Sequence, residues 1–110
     1  MMNAGDDEAA RVVARYFDMW NTGDTSAATQ ILSPDWTDHA HPEVTGPAGV
    51  AEAVTSIRAA RPDLRFHLDA YLTGGGDTVA AVGRVAASRL IWLVRLHDGR
   101  MAEMWTYHHP

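Results

Sequence analysis

Leu64-Arg65-Phe66-His67-Leu68-Asp69-Ala70-Tyr71-Leu72-Thr73 alternates apolar and polar residues with a period of two. The segments before it repeat their apolar residues at helical spacing. This change of period decides the fold class, because it puts helices in the first part of the chain and a sheet in the second. In the strand, Leu64, Phe66, Leu68, Ala70 and Leu72 are expected on the covered face, with Arg65, His67, Asp69, Tyr71 and Thr73 on the other. Gly74-Gly75-Gly76-Asp77 makes a turn. It is not a phosphate loop, since a strand follows where a helix is needed. A second strand of small residues is expected over 78–87, with Gly83 marking a bend or a close contact. Residues 90–96 form a third, His97-Asp98-Gly99 is a hairpin signal, and 100–108 form a fourth. In that last strand Met101, Glu103, Trp105 and Tyr107 share one face, and Ala102, Met104, Thr106 and His108 the other.

Upstream, residues 1–5 are expected to fray. Asp6 or Asp7 caps a helix whose apolar positions are Ala9, Val12, Val13, Tyr16, Phe17 and Trp20, with Gly23 as its stop signal. Tyr16 and Trp20 lie one turn apart. Both fill the core, or Tyr16 points its hydroxyl into a cavity; either way a buried phenol needs a partner. A short second helix carries Ala27, Ala28, Ile31 and Leu32 and ends at Pro34. Gly46-Pro47 opens a third, with Val50, Ala53, Val54 and Ile57 on its apolar side and Pro62 at its close. Three helices and then an antiparallel sheet make one α+β domain over residues 1–110. With helices on one face of the sheet, the apolar residues of the other face call for a homodimer.

Between the second and third helices lies Pro34-Asp35-Trp36-Thr37-Asp38-His39-Ala40-His41-Pro42. Two prolines keep it out of a helix. If it is extended, Trp36 and Asp38 share one face, and Thr37 and His39 the other. Here the chain concentrates an indole, two carboxylates and two imidazoles.

Composition narrows the chemistry. The net charge of −5 and nine dispersed basic residues argue against nucleic acid or an anionic membrane as partner. No apolar run reaches the roughly 18 residues of a membrane span and no signal peptide is evident, so a cytoplasmic protein is expected. There is no cysteine, and all nine basic residues are arginine. Thiolate nucleophiles, Schiff-base lysines and a P-loop lysine are thereby excluded. Carboxylate, imidazole, phenol and hydroxyl chemistry remain. A carboxylate partly withdrawn from water accepts protons near neutral pH, which makes Asp38 a candidate base. Asp38 as a plain capping carboxylate is the competing reading. A metal would need His39 and His41 together with His67, His97, His108 or His109, and nothing in the spacing demands it. No serine sits in a nucleophile elbow.

Tyr16-Phe17-Asp18-Met19-Trp20-Asn21-Thr22-Gly23-Asp24 resembles the first-helix signature of SnoaL-like polyketide cyclases. Asp38-His39-Ala40-His41-Pro42, the Arg61-Pro62-Asp63-Leu64 junction and the closing Asp98-Gly99-Arg100-Met101-Ala102-Glu103-Met104-Trp105 are similar to the same family. The resemblance covers nearly the whole chain. It places the sequence in the superfamily that includes ketosteroid isomerase and nuclear transport factor two. It implies a cone-shaped fold, three helices on a curved antiparallel sheet around a hydrophobic pocket. It also implies cofactor-free acid–base chemistry on polyketide-like carbonyl compounds of bacterial secondary metabolism. Tyr16 matches the oxyanion-donating tyrosine of the isomerases, and Asp38 lies near the position of their base.

The sequence departs from the family at three places. Trp92 stands where an acid is usual on the third strand. The Glu-His-Trp ending reads Glu103-Met104-Trp105. The connection between Val85 and Leu90 is short, which shrinks or opens the pocket. The expected catalytic set is therefore Asp38 as base, His39 or His41 as proton relay, and Tyr16 as carbonyl donor. Trp20, Trp36, Trp92, Met104 and His108 are the expected lining for a small apolar or aromatic metabolite, and Trp105 and Tyr107 the expected dimer contact. A non-catalytic ligand-binding or scaffold module is the alternative, and epoxide opening ranks lower because it needs paired carboxylates.

Overall fold

The structure is a computed structural model that describes residues 4–109. Across these residues the chain forms α1 (Ala4–Thr22), α2 (Ala28–Ile31), β1 (Leu32–Asp38), α3 (Gly46–Ala60), β2 (Phe66–Thr73), β3 (Thr78–Val85), β4 (Ser88–His97) and β5 (Arg100–His109). Residues 1–3, expected to fray, lie outside the described residues, and Ala4 and Gly5 are already helical. The α+β reading holds: three helices pack on one five-stranded sheet of order β1-β5-β4-β3-β2.

The sheet differs from the expected antiparallel one at its edge. The segment expected only to be extended is a strand, β1, and it pairs with β5 in parallel. Pro34 falls in the interval between Leu32 and Thr37 where the register is irregular. A residue without an N–H is tolerated on such an edge.

Two bulges shift which residues face inward. In β2 the register slips between Leu68 and Ala70. An extra residue reverses the alternation, so Tyr71 packs on the core and Leu72 is exposed, against the period-two expectation for this strand. In β5 the slip opposite Arg95 and Leu96 lets Met101 join Met104 in the core, although it was expected to share a face with Glu103. Gly83 makes the close contact expected of it: a Cβ there would collide with the His67 carbonyl oxygen.

α1 is joined to the sheet by one polar clasp. Asn21 Nδ2 donates to the Phe66 carbonyl at 2.9 Å, and the Phe66 N–H donates to Asn21 Oδ1 at 2.7 Å. This amide pair satisfies the backbone where β2 begins. The core fills the space between helices and sheet, with Val13, Phe17, Ile31, Leu32, Val50, Val54, Val79, Val94 and Met101 fully buried.

Candidate functional site

Alternation along β1 decides which side chains reach the interior. Trp36 and Asp38 are buried while Thr37 is exposed, as expected for an extended segment. Asp38 is only 7% exposed, and it lines a cavity of about 600 Å³ between the helices and the sheet. Its Oδ1 accepts the Ala40 N–H at 3.0 Å, and its carbonyl accepts the His41 N–H at 3.1 Å. That tight turn swings Ala40, His41, Glu43 and Val44 around the rim. His41 Nδ1 stands 3.5 Å from Glu43 Oε1, both side chains largely in solvent.

His39 goes the other way. Its N–H continues the pairing with the Met104 carbonyl at 3.0 Å, which holds its side chain on the outer face. There Nε2 lies 2.8 Å from Glu103 Oε2, and the ring stacks on Trp105 at 4.7 Å and 7°. Arg95 Nε donates to the other Glu103 oxygen at 2.6 Å. The hydrogen bonds from His39 and Arg95 hold the Glu103 carboxyl below its usual range. His39 therefore does not line the cavity, and the relay role expected of it has no geometry behind it. With His39 outside and His41 on the rim, the two imidazoles do not converge. Among the described residues no group of three or more His, Asp or Glu is placed to hold a metal ion.

α1 contributes Tyr16, Phe17 and Trp20 at helical spacing. Burial pushes the Tyr16 phenol far above its ordinary range; the Trp20 indole N–H opposes this, and the Asp38 charge adds to it. The indole N–H lies close to the phenol oxygen but falls short of hydrogen-bond geometry, and it is buried without a partner. Tyr16 is thus a neutral hydroxyl on the cavity wall, near a carboxylate. Trp36, expected in the lining, sits in the core instead. It is 2% exposed and packs on Tyr16 with ring centres 5.7 Å apart.

The sheet supplies Leu90 and Trp92 from β4, and Met104, Thr106 and His108 from β5. Trp92 shares its face with Val94 and Leu96, as strand parity predicts. It meets Phe17 at 4.8 Å and Phe66 at 5.9 Å, closing the cavity with aromatic rings. The β3–β4 connection is only Ala86-Ala87, since Val85 pairs with Ser88. The mouth there is left to Val85, Leu90 and Ile57. Glu43, Arg61 and Thr106 were not expected in the lining. Arg61 and Thr106 left signals: Arg61 continues the spacing of Val50, Ala53 and Ile57 by one more turn, and Thr106 shares a strand face with Met104 and His108.

A family model for the SnoaL-like domain matches residues 13–109, which hold every side chain of this cavity. The chain belongs to the SnoaL-like family. Solved structures share the fold at low identity. A SnoaL-like polyketide cyclase from Agrobacterium tumefaciens superposes with a TM-score of 0.74 at 14% identity, covering 92% of this chain and 91% of that one. An NTF2-like protein of unknown function from Mesorhizobium loti gives 0.78 at 20% identity, covering 100% and 98%. A SnoaL-like protein of unknown function from Burkholderia thailandensis gives 0.74 at 19%, covering 94% and 96%. No curated protein is significantly similar to the chain. SnoaL-like membership suggests a cyclase or isomerase acting on a small molecule. No helix among the described residues is long and apolar enough to cross a membrane.

Proposed function

We propose that this SnoaL-like protein is a cofactor-independent cyclase or isomerase that moves protons on a carbonyl-bearing, polyketide-like metabolite. One observation carries the reading: Asp38, buried and lining the cavity, lies close enough to Tyr16 for its charge to act on the phenol. A carboxylate so placed takes a proton from the carbon beside a carbonyl, and the Tyr16 hydroxyl donates to the oxygen as negative charge builds there. Tyr16, like any phenol, is protonated and able to donate at neutral pH, and burial only strengthens its hold on the proton. To His41, in the lining with Glu43 beside its Nδ1, we assign the return of the proton. The polyketide cyclase among the structural neighbours supports the substrate class.

The test is mass spectrometry of polyketide β-ketones, enones and epoxides incubated with wild type and with Asp38→Asn. Isomerised or cyclised product is expected from wild type, with the rate lowered about 10²–10⁴-fold in the variant, the usual worth of one acid–base group. An unchanged rate removes Asp38 from the mechanism.

Trp92 favours a second reading, a binding module. It stands in the cavity wall, where the resemblance to the family implies an acid, and its indole exchanges no proton. Ligand recovered unchanged from both proteins would select it.

In either case we propose a homodimer through the outer sheet face. There Val82 faces Ile91, Ile91 faces Tyr107, and Leu93 faces both Ala80 and Trp105. These contiguous apolar residues have no helix over them.

A further inference from the structure

α3 gives the cavity its length. Val50, Ala53, Ile57 and Arg61 all line it, a stripe of about 16 Å at 1.5 Å per residue. Its first turn lies beside β1, where Thr45 bridges Thr37, and the lining there is Asp38, His41, Glu43 and Val44. Its last turn lies beside Leu64 and Phe66, which lead into β2. β1 and β2 are opposite edges of the five-stranded sheet, four spacings or about 19 Å apart. The cavity is therefore a trough with Asp38 at one end and Arg61 at the other.

Arg61 is the only arginine in the lining, and both lining carboxylates, Asp38 and Glu43, sit at the far end. Its N–H closes the last helical turn on the Ile57 carbonyl at 2.8 Å, which fixes where the side chain departs. A guanidinium here has an ordinary use, complementing the helix dipole and binding its last carbonyls. Arg58, in the same last turn, has a structural use of a related kind, on carbonyls of α1 and of the segment after α3. Its Nη1 donates to the Trp20 and Leu64 carbonyls, both at 2.9 Å, and its Nη2 to the Pro62 carbonyl at 3.4 Å. The Arg61 guanidinium makes no hydrogen bond or ion pair among the described residues. Arg61 is exposed, and its lining neighbours Ile57, Leu64 and Phe66 are apolar. A planar fork in such surroundings pairs best with a carboxylate, through two parallel hydrogen bonds.

We infer that Arg61 is an anion anchor. The ligand is an elongated, mostly apolar molecule of two or three rings, with a carboxylate at the end remote from the group held at Asp38 and Tyr16. This rests on the cavity's being the ligand site, as proposed above, and adds the chemistry of the ligand's far end.

Binding of 6-acetyl-2-naphthoic acid and of its methyl ester tests the inference. Both carry a ketone at one end of two fused rings, and only the acid carries charge at the other. Quenching of Trp20 and Trp92 fluorescence reports occupancy. At low salt, wild type is expected to bind the acid about tenfold more tightly than the ester, with the margin shrinking as salt is added. Arg61→Gln is expected to bring the acid down to the level of the ester, and Arg61→Lys to keep part of the margin. Arg65→Gln, which removes another exposed arginine, one outside the lining, is expected to keep all of it. Equal binding of acid and ester by wild type, or a margin that survives Arg61→Gln, overturns the anchor while ester binding still supports the cavity. Binding of neither molecule overturns the cavity reading and the anchor with it.

Discussion

Asp38 and His39 are chain neighbours with opposite fates: one is sealed into the cavity wall, the other stacks on an indole on the outer face. Sequence alone leaves that choice open, because a register change of one residue exchanges them. Placing Trp36 with Asp38 was legible, but not that Tyr16 would stand between Trp36 and the cavity. Glu43 enters the lining through a turn, where no periodicity reports position. Tyr16 offers a test free of any substrate. Its folded-state pKa is raised, so the stability it brings is fully present below the unfolded value near pH 10 and is lost as pH rises above that. In this range the unfolded phenol gives up its proton and the folded one keeps it. The loss is about 1.4 kcal/mol per pH unit for a fully buried phenol. No lysine or cysteine side chain titrates alongside it. Urea unfolding at pH 8 and pH 11 is expected to show a smaller loss for Tyr16→Phe than for wild type. Equal losses would mean that the phenol is not sealed.

Among the elements, the hairpins carry the clearest constraints. Gly83 sits opposite Leu68, where β2 slips register, and leaves no room for a side chain beside the His67 carbonyl. Gly83→Ala is expected to cost about 3 kcal/mol, at the upper end of overpacking, because backbone on both sides must move. The urea midpoint measures it. Ala86 holds φ at 52°, a left-handed conformation unfavourable for a residue with a Cβ. Ala86→Gly is expected to raise stability by about 0.5 kcal/mol, the relieved strain outweighing the added chain entropy. The helices, the three hairpin strands that follow β2's start and the place of Gly83 were readable from period and turn residues. The bulges were not: an inserted residue leaves the composition of a strand unchanged and only reverses which half faces inward. Membership of β1 in the sheet was equally hidden, since its partner is more than sixty residues away and Pro34 speaks against a strand.

At the scale of the molecule, helices cover one face of the sheet and leave Val82, Ile91, Leu93, Trp105 and Tyr107 on the other. Tyr107 is half exposed and lies outside the buried core. Tyr107→Glu would bury a charge in a dimer while sparing the protomer. In sedimentation equilibrium, wild type is expected at twice the 12.0 kDa chain mass, and the variant at the chain mass, with unchanged secondary structure. Wild type at the chain mass would refute the dimer. The strand order carries one more consequence. β5, the last strand in sequence, lies between β1 and β4, and it supplies Met104 and Thr106 to the cavity. During synthesis β2, β3 and β4 can zip as they emerge, but β1 waits beside an empty slot until β5 leaves the ribosome. The ligand site thus comes into being only once β5 is in place, and a chain stalled short of residue 100 has none.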